Sequence, residues 1–114
     1  MILGIGVDIL SLQRFEKTLE VQPAIRDKII SEQEDSITLS RLHIAKSFAA
    51  KEALWKSLKS ISFSFKEVQL VELYSGAPSF RFTGATSEIL KGISFEISLS
   101  HDAGFLIAIV IAFK

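Results

Sequence analysis

Cysteine is absent from the 114 residues, which excludes a disulfide scaffold, thiolate metal sites and a cysteine nucleophile together. Proline occurs only twice, and with 48% hydrophobic and 23% charged residues the composition is that of a globular chain, not a disordered one. Net charge is also missing. Thirteen basic side chains balance thirteen acidic ones, so no global field draws the protein to nucleic acid or to an anionic membrane. Nor is there a long apolar run: the longest, Phe105 to Phe113, has nine residues, against the ~20 a spanning helix needs. The first ten residues are apolar but lack a basic stretch and contain Asp8, so no signal peptide is expected and the cytoplasm is the expected compartment. A chain of this length makes one domain, residues 1–114. It is small for enclosing a large ligand within one subunit.

The chain divides into two textures. Met1 to Leu10 reads as a buried strand, apolar, punctuated by Gly4 and Gly6 and ended by Asp8-Ile9. Leu12, Phe15 and Leu19 then recur at helical spacing until Pro23, and Ile25 with Ile29 suggests a further helical turn. Ser31-Glu32-Gln33-Glu34 has the form of a capping box. The strongest helix runs from about Ser40 to Leu58. Beyond Lys59, serines alternate with Ile and Phe from Ser60 to Phe65, and Glu67 to Tyr74 favours strand. Gly76-Ala77-Pro78 marks a turn before the alternating Phe80 to Thr83, and a short helix fits Thr86 to Lys91. Ile93, Phe95, Ile97 and Leu99 alternate with polar residues, as in a half-exposed strand. His101-Asp102-Ala103-Gly104 reads as a tight loop into a final strand, Phe105 to Phe113, expected to be central and buried on both faces. The predicted class is α+β: a first strand, helices, then a mainly antiparallel sheet.

Asp8 is the first candidate for chemistry, placed where strands deliver ligands, though position alone equally allows it to cap the following helix. The Gly4-x-Gly6 pair lacks the third glycine of a dinucleotide fingerprint. Glu52 is the stronger anomaly. At about 100° per residue, it falls amid an apolar arc of Ile44, Trp55, Phe48, Ala45, Ala49, Leu42 and Ala53. A carboxylate there costs several kcal/mol unless paired, hydrogen-bonded or metal-bound; a pair with Lys56 at i+4 is the plain alternative. The same helix carries Arg41, Lys46, Lys51, Lys56 and Lys59, which suits either a polyanionic ligand or a solvated surface. His101, between Ser100 and Asp102, can contact phosphate or simply bond to backbone. His43 reads as structural.

Taken in order, Gly4-Ile5-Gly6-Val7-Asp8-Ile9, Ser31-Glu32-Gln33-Glu34, Phe48-Ala49-Ala50-Lys51-Glu52-Ala53 with Lys56, Gly76-Ala77-Pro78 and Ser98-Leu99-Ser100-His101 resemble the holo-acyl-carrier-protein synthases, the small type of 4′-phosphopantetheinyl transferase. The first and third stretches are the specific ones. The resemblance implies transfer of the phosphopantetheine arm of coenzyme A to a serine of apo-acyl carrier protein, with release of adenosine 3′,5′-bisphosphate, in fatty acid biosynthesis. It implies Mg²⁺ held by Asp8 and Glu52, phosphate contact by Lys56, and a nucleotide wall including Ser100 and His101. It implies a homotrimer with sites between subunits. Arg14 and Lys17, just after Asp8, are the candidates for docking the acidic carrier.

Two departures stand out. Ser47 occupies the position where the family commonly has arginine before its FAAKEA-like motif, with Lys46 as the nearest substitute, though without arginine's fork. The glycine-rich turn usual after that helix is replaced by Leu58-Lys59-Ser60-Ile61-Ser62. These motivate a rival reading, a catalytically silent relative that binds coenzyme A or the carrier protein.

Overall fold

The computed structural model describes residues 1–35 and 39–114. A first strand, β1 (Ile2–Ser11), leads into α1 (Leu12–Val21), α2 (Ala24–Ile29) and α3 (Glu32–Asp35), and then the long helix α4 (Arg41–Leu58). A 3₁₀ turn at Phe65–Glu67 opens the second half, which comprises β2 (Val68–Glu72), β3 (Pro78–Phe82), α5 (Gly84–Ile89), β4 (Ser94–Asp102) and β5 (Phe105–Phe113). The class is the expected α+β, but the strands form two antiparallel sheets rather than one. Three strands pair in the order β1-β5-β4, and β2 pairs with β3 apart from them. The alternating segment Ser60 to Phe65 forms no strand. Ile61, Phe63 and Phe65 turn partly inward and Ser60, Ser62 and Ser64 outward, which satisfies the pattern without a hydrogen-bonding neighbour.

The β4–β5 turn is tighter than expected: His101 and Asp102 belong to β4, facing Leu106 and Phe105, and only Ala103 and Gly104 turn. Both have positive φ, 51° and 82°, as a two-residue hairpin demands. β5 is central, as expected. It is buried on one face only. Leu106, Ala108, Val110 and Ala112 are fully buried beneath α4, whereas Phe105, Ile107 and Ile109 face out. They continue a surface that includes Ile5, Val7 and Ile9 of β1, since Val7 pairs with Ile109 and Ile9 with Ile107. One chain supplies a helical layer for one side of this sheet, and the apolar run exceeds what that layer covers.

Helix α4 starts at Ser40, whose hydroxyl accepts the His43 N–H at 3.0 Å. It packs on β1 and β5. The contact with β1 is so close that a Cβ on Gly4 would strike the Ser57 carbonyl oxygen and one on Gly6 that of Ala53. The paired glycines thus serve strand–helix packing, not a dinucleotide. Their demand also sets the rotation of α4. Ala45, Ala49, Ala50, Ala53, Leu54 and Leu58 are buried, and the accessible strip runs through Trp55, Phe48, Glu52 and Lys56. The apolar arc expected around Glu52 is therefore displaced: Trp55 is exposed, and Glu52 lies half-buried at the edge of the covered face.

The predicted capping box forms, with Ser31 N–H donating to Glu34 Oε1 at 3.1 Å and Glu34 N–H to Ser31 Oγ at 3.2 Å. It does more than cap. Glu34 is buried, and it accepts from Lys51 Nζ at 2.7 Å and Ser47 Oγ at 2.8 Å, with His43 Nε2 at 3.5 Å. Lys51, which its sequence position assigns to a basic helix face, has no exposed surface and donates as well to the carbonyls of Ile29 and Phe65 at 2.6 and 3.1 Å. Burial pushes the Glu34 carboxyl up, but His43, the Lys51 ammonium and the Ser31 N–H outweigh it and hold it at about 2. Burial likewise pushes the Lys51 ammonium down, against the pull of Glu34.

This shift fixes the sign of the pH effect. Glu34 ionises lower in the folded chain than its ordinary 4.5, so its contribution is complete above that value and is lost as pH falls toward about 2. Denaturant unfolding of Glu34→Gln near neutral pH is expected to show a loss of about 3–5 kcal/mol, the usual cost of stranding one partner of a buried pair. The variant should also lose less stability than wild type on acidification across this window. An unchanged midpoint would refute the cluster's role.

Candidate functional site

Strand alternation turns Asp8 toward α4, on the side opposite Val7 and Ile9. Asp8 sits mid-strand, three residues short of the end of β1, and it caps nothing: Ser11 caps α1, accepting the Arg14 N–H at 3.3 Å. Its side chain is only 13% exposed. Lys56 reaches down from α4, donating to Asp8 Oδ1 at 3.2 Å and to the Val7 carbonyl at 3.1 Å. Glu52 is one helical turn before Lys56. Burial raises its carboxyl above the ordinary range, the Asp8 charge raises it further, and Lys56 opposes both. Lys56 therefore does not simply pair with Glu52; its hydrogen-bonded partner is Asp8, and it couples to Glu52 through space.

Asp8 and Glu52 thus bring two hard oxygen donors into electrostatic range of each other, with Lys56 beside them. Among the described residues no three His, Cys, Asp or Glu side chains gather around a common point. Two carboxylates alone suit Mg²⁺, which commonly takes one or two of them and completes its shell with water and phosphate oxygens.

The basic residues of α4 are not a shared cationic face. Arg41 pairs with Glu20 at 3.4 Å, Lys46 with Glu72 at 3.9 Å, Lys51 with Glu34 at 2.7 Å and Lys56 with Asp8 at 3.2 Å. Ser47 is fully buried beneath Glu34, so no arginine side chain could occupy that position without displacing the cluster. Lys59, in place of the glycine-rich turn, takes φ 58°, a conformation that favours glycine. Ser100 and His101 are separated by the pleat. Ser100 pairs with Ile107 and shares the outer face with Ile9, while His101 pairs with Leu106 on the face that carries Asp8. Arg14 and Lys17 are exposed on α1, where with Thr18, Val21 and Gln22 they line an open depression of about 320 Å³. Sequence reasoning missed the Lys51–Glu34–Ser47 cluster; the capping-box glutamate was its one visible signal.

The family model described as the 4′-phosphopantetheinyl transferase superfamily matches residues 4–110. The chain belongs to that superfamily. Over 97% of its length it is 36% identical to the holo-[acyl-carrier-protein] synthase of Clavibacter michiganensis subsp. michiganensis, covering 95% of that protein. The crystal structure of holo-[acyl-carrier-protein] synthase from Neisseria meningitidis superposes with a TM-score of 0.88 at 32% identity, each chain covered completely. The Helicobacter pylori enzyme, solved in complex with coenzyme A, gives a TM-score of 0.79 at 31% identity over 96% of this chain and 99% of that one. The α+β architecture is thus that of a phosphopantetheinyl transferase of the holo-acyl-carrier-protein synthase kind, and the enzyme class is the same.

The electrostatics of the site can be checked directly. Carboxyl titration by ¹³C NMR is expected to show the Glu52 value falling in Asp8→Asn, which removes a like charge, and rising in Lys56→Met, which removes the opposing one. Identical Glu52 titration in all three proteins would refute the coupling.

Proposed function

We propose that residues 1–114 form one phosphopantetheinyl transferase domain that moves the 4′-phosphopantetheine arm of coenzyme A to a serine of apo-acyl carrier protein, releasing adenosine 3′,5′-bisphosphate. The observation that carries the reading is the meeting of Asp8, Glu52 and Lys56 where β1 crosses α4. In the reaction the serine oxygen bonds to the phosphorus bearing the pantetheine arm, the bond from that phosphorus to the bridging oxygen breaks, and the bisphosphate leaves with the electron pair. The serine proton is released. Such a transfer is governed by positioning and charge stabilisation rather than by a protein nucleophile.

Asp8 and Glu52 are proposed as the protein ligands of Mg²⁺, which when bound supplies positive charge against the pyrophosphate. Their fit rests on two partly buried carboxylates, of which Glu52 is raised by its burial and by the charge of Asp8. Lys56 holds Asp8 in place at rest and is proposed to contact phosphate. Lys46, Ser100 and His101 are proposed as further coenzyme A contacts, and Arg14 and Lys17 as the docking site of the acidic carrier. The cell compartment proposed is the cytoplasm, and the pathway fatty acid synthesis; among the described residues no helix is long and apolar enough to cross a membrane.

The assembly proposed is a homotrimer. Ile5, Val7, Ile9, Phe105, Ile107 and Ile109 form a contiguous apolar face on the outside of the sheet, a surface of the kind that proteins cover with a partner. A shared site also answers the placement of Ser100 on the far side of the sheet from Asp8: a neighbour's Ser100, rather than the chain's own, would face the nucleotide.

Two experiments test this. Mass spectrometry of apo-carrier protein incubated with coenzyme A, Mg²⁺ and this protein should show the added phosphopantetheine; Asp8→Asn and Glu52→Gln should each lower the rate at least about 100-fold while the circular dichroism spectrum persists. No added mass with wild type, despite bound coenzyme A, would instead establish a silent binder, a reading favoured by the burial of Ser47 where the family commonly has arginine. Sedimentation should report a trimer that Ile107→Glu dissociates. A fully active wild-type monomer would refute the shared site.

A further inference from the structure

Most aromatic rings of the chain are already engaged with one another. Phe15 stacks on Phe48 at 5.3 Å between centroids, Phe63 on Phe65 at 5.5 Å, and Phe80, Phe82 and Phe95 form a third group. Trp55, the one tryptophan of the sequence, joins none of them. Of the rings left over, Tyr74 lies on the β2–β3 loop and Phe105 and Phe113 on β5, so Trp55 alone stands on the helix that carries Glu52 and Lys56. Its side chain follows Glu52 by three residues, a spacing that makes the two neighbours on one helix face. It is 47% exposed, so a large indole remains in water beside a site otherwise built of charged groups.

Direction along α4 gives this ring a role. Phe48 is held by Phe15 of α1, and α1 carries Arg14 and Lys17, the proposed carrier dock. On that docking reading the carrier serine would approach from the Phe48 end of the accessible strip. Attack in line with the breaking bond sends the leaving group the opposite way. Trp55 lies seven residues further on, roughly 10 Å at 1.5 Å per residue, toward the end marked by Lys56 and Lys59. The leaving group is a nucleotide with a purine base, and an exposed indole is a stacking surface for such a base.

We propose that Trp55 is a specificity-determining residue for the nucleotide half of coenzyme A, stacking on its adenine. This rests on the transferase reading, and gives the chain an aromatic hold on the nucleotide where Ser47 and Lys59 replace the arginine and the glycine-rich turn. The base is then held by dispersion and stacking, which salt does not screen.

The single indole is its own reporter. In Mg²⁺-containing buffer, adenosine 3′,5′-bisphosphate and coenzyme A are each expected to quench the fluorescence of the wild-type protein, while 4′-phosphopantetheine leaves it unchanged. By calorimetry, Trp55→Ala should weaken adenosine 3′,5′-bisphosphate about 5- to 100-fold, in line with base–aromatic stacking, and Trp55→Phe should recover most of the loss. In transfer assays KM for coenzyme A should rise in the alanine variant with kcat little changed. Quenching by 4′-phosphopantetheine instead of the bisphosphate would overturn the assignment by placing the pantetheine arm on the indole. Calorimetric binding without quenching, with Trp55→Ala binding as tightly as wild type, would overturn it while leaving the transferase reading intact. Absence of transfer with quenching retained would do the reverse. No binding of either nucleotide would overturn both.

Discussion

The backbone of α4 lies against β1 at a distance only glycine allows, with the Ser57 and Ala53 carbonyls occupying the space where Gly4 and Gly6 would carry a Cβ. That approach positions the acidic site. Asp8, the next inward residue of the strand, comes within 3.2 Å of Lys56 and within electrostatic range of Glu52. A side chain at either glycine would push strand and helix apart and separate the carboxylates. The chemistry of the site is thus set by a packing contact that contains no functional group.

Charge is used in two different ways on the two sides of α4. Lys51 is sealed inside with Glu34, Ser47 and two backbone carbonyls, where a dry pair is costly to break and fixes the helix against the segment before it. Lys56, five residues on, is partly exposed and held by one carboxylate and one carbonyl, an arrangement that water and ligands can enter. The same residue type on one helix is thereby sealed from water in one place and open to it in the other.

Much of this architecture is legible in the sequence. The helix limits of α4 are marked by Ser40 and the long periodic run, and β5 by an apolar stretch bounded by Asp102-Ala103-Gly104 and Lys114. Asp8 and Glu52 can be picked out because each is a carboxylate in apolar surroundings. Lys51 cannot, since a lysine beside a glutamate on a helix looks solvated, and its partner comes from a capping motif that explains itself without one. The partner of Lys56 is equally hidden: local spacing offers Glu52, whereas the fold brings Asp8 from 48 residues away. The exposed side of β5 is misjudged from sequence because an apolar run shows that both faces shun water, not that one chain covers both.

No position of β1 between Gly4 and Ile9 is idle. Gly4 and Gly6 are held by the helix and Asp8 by Lys56, while Ile5, Val7 and Ile9 lie on the exposed apolar outer face that the proposed trimer would cover. In the proposed trimer such a strand is constrained on alternate residues from opposite sides and has almost no room for neutral drift, because a change that suits one side leaves the other to be satisfied unaltered. Sequence divergence should therefore accumulate in the surface loops and the outer turns of α1, while this six-residue segment changes slowly and only in step with the surfaces that meet it.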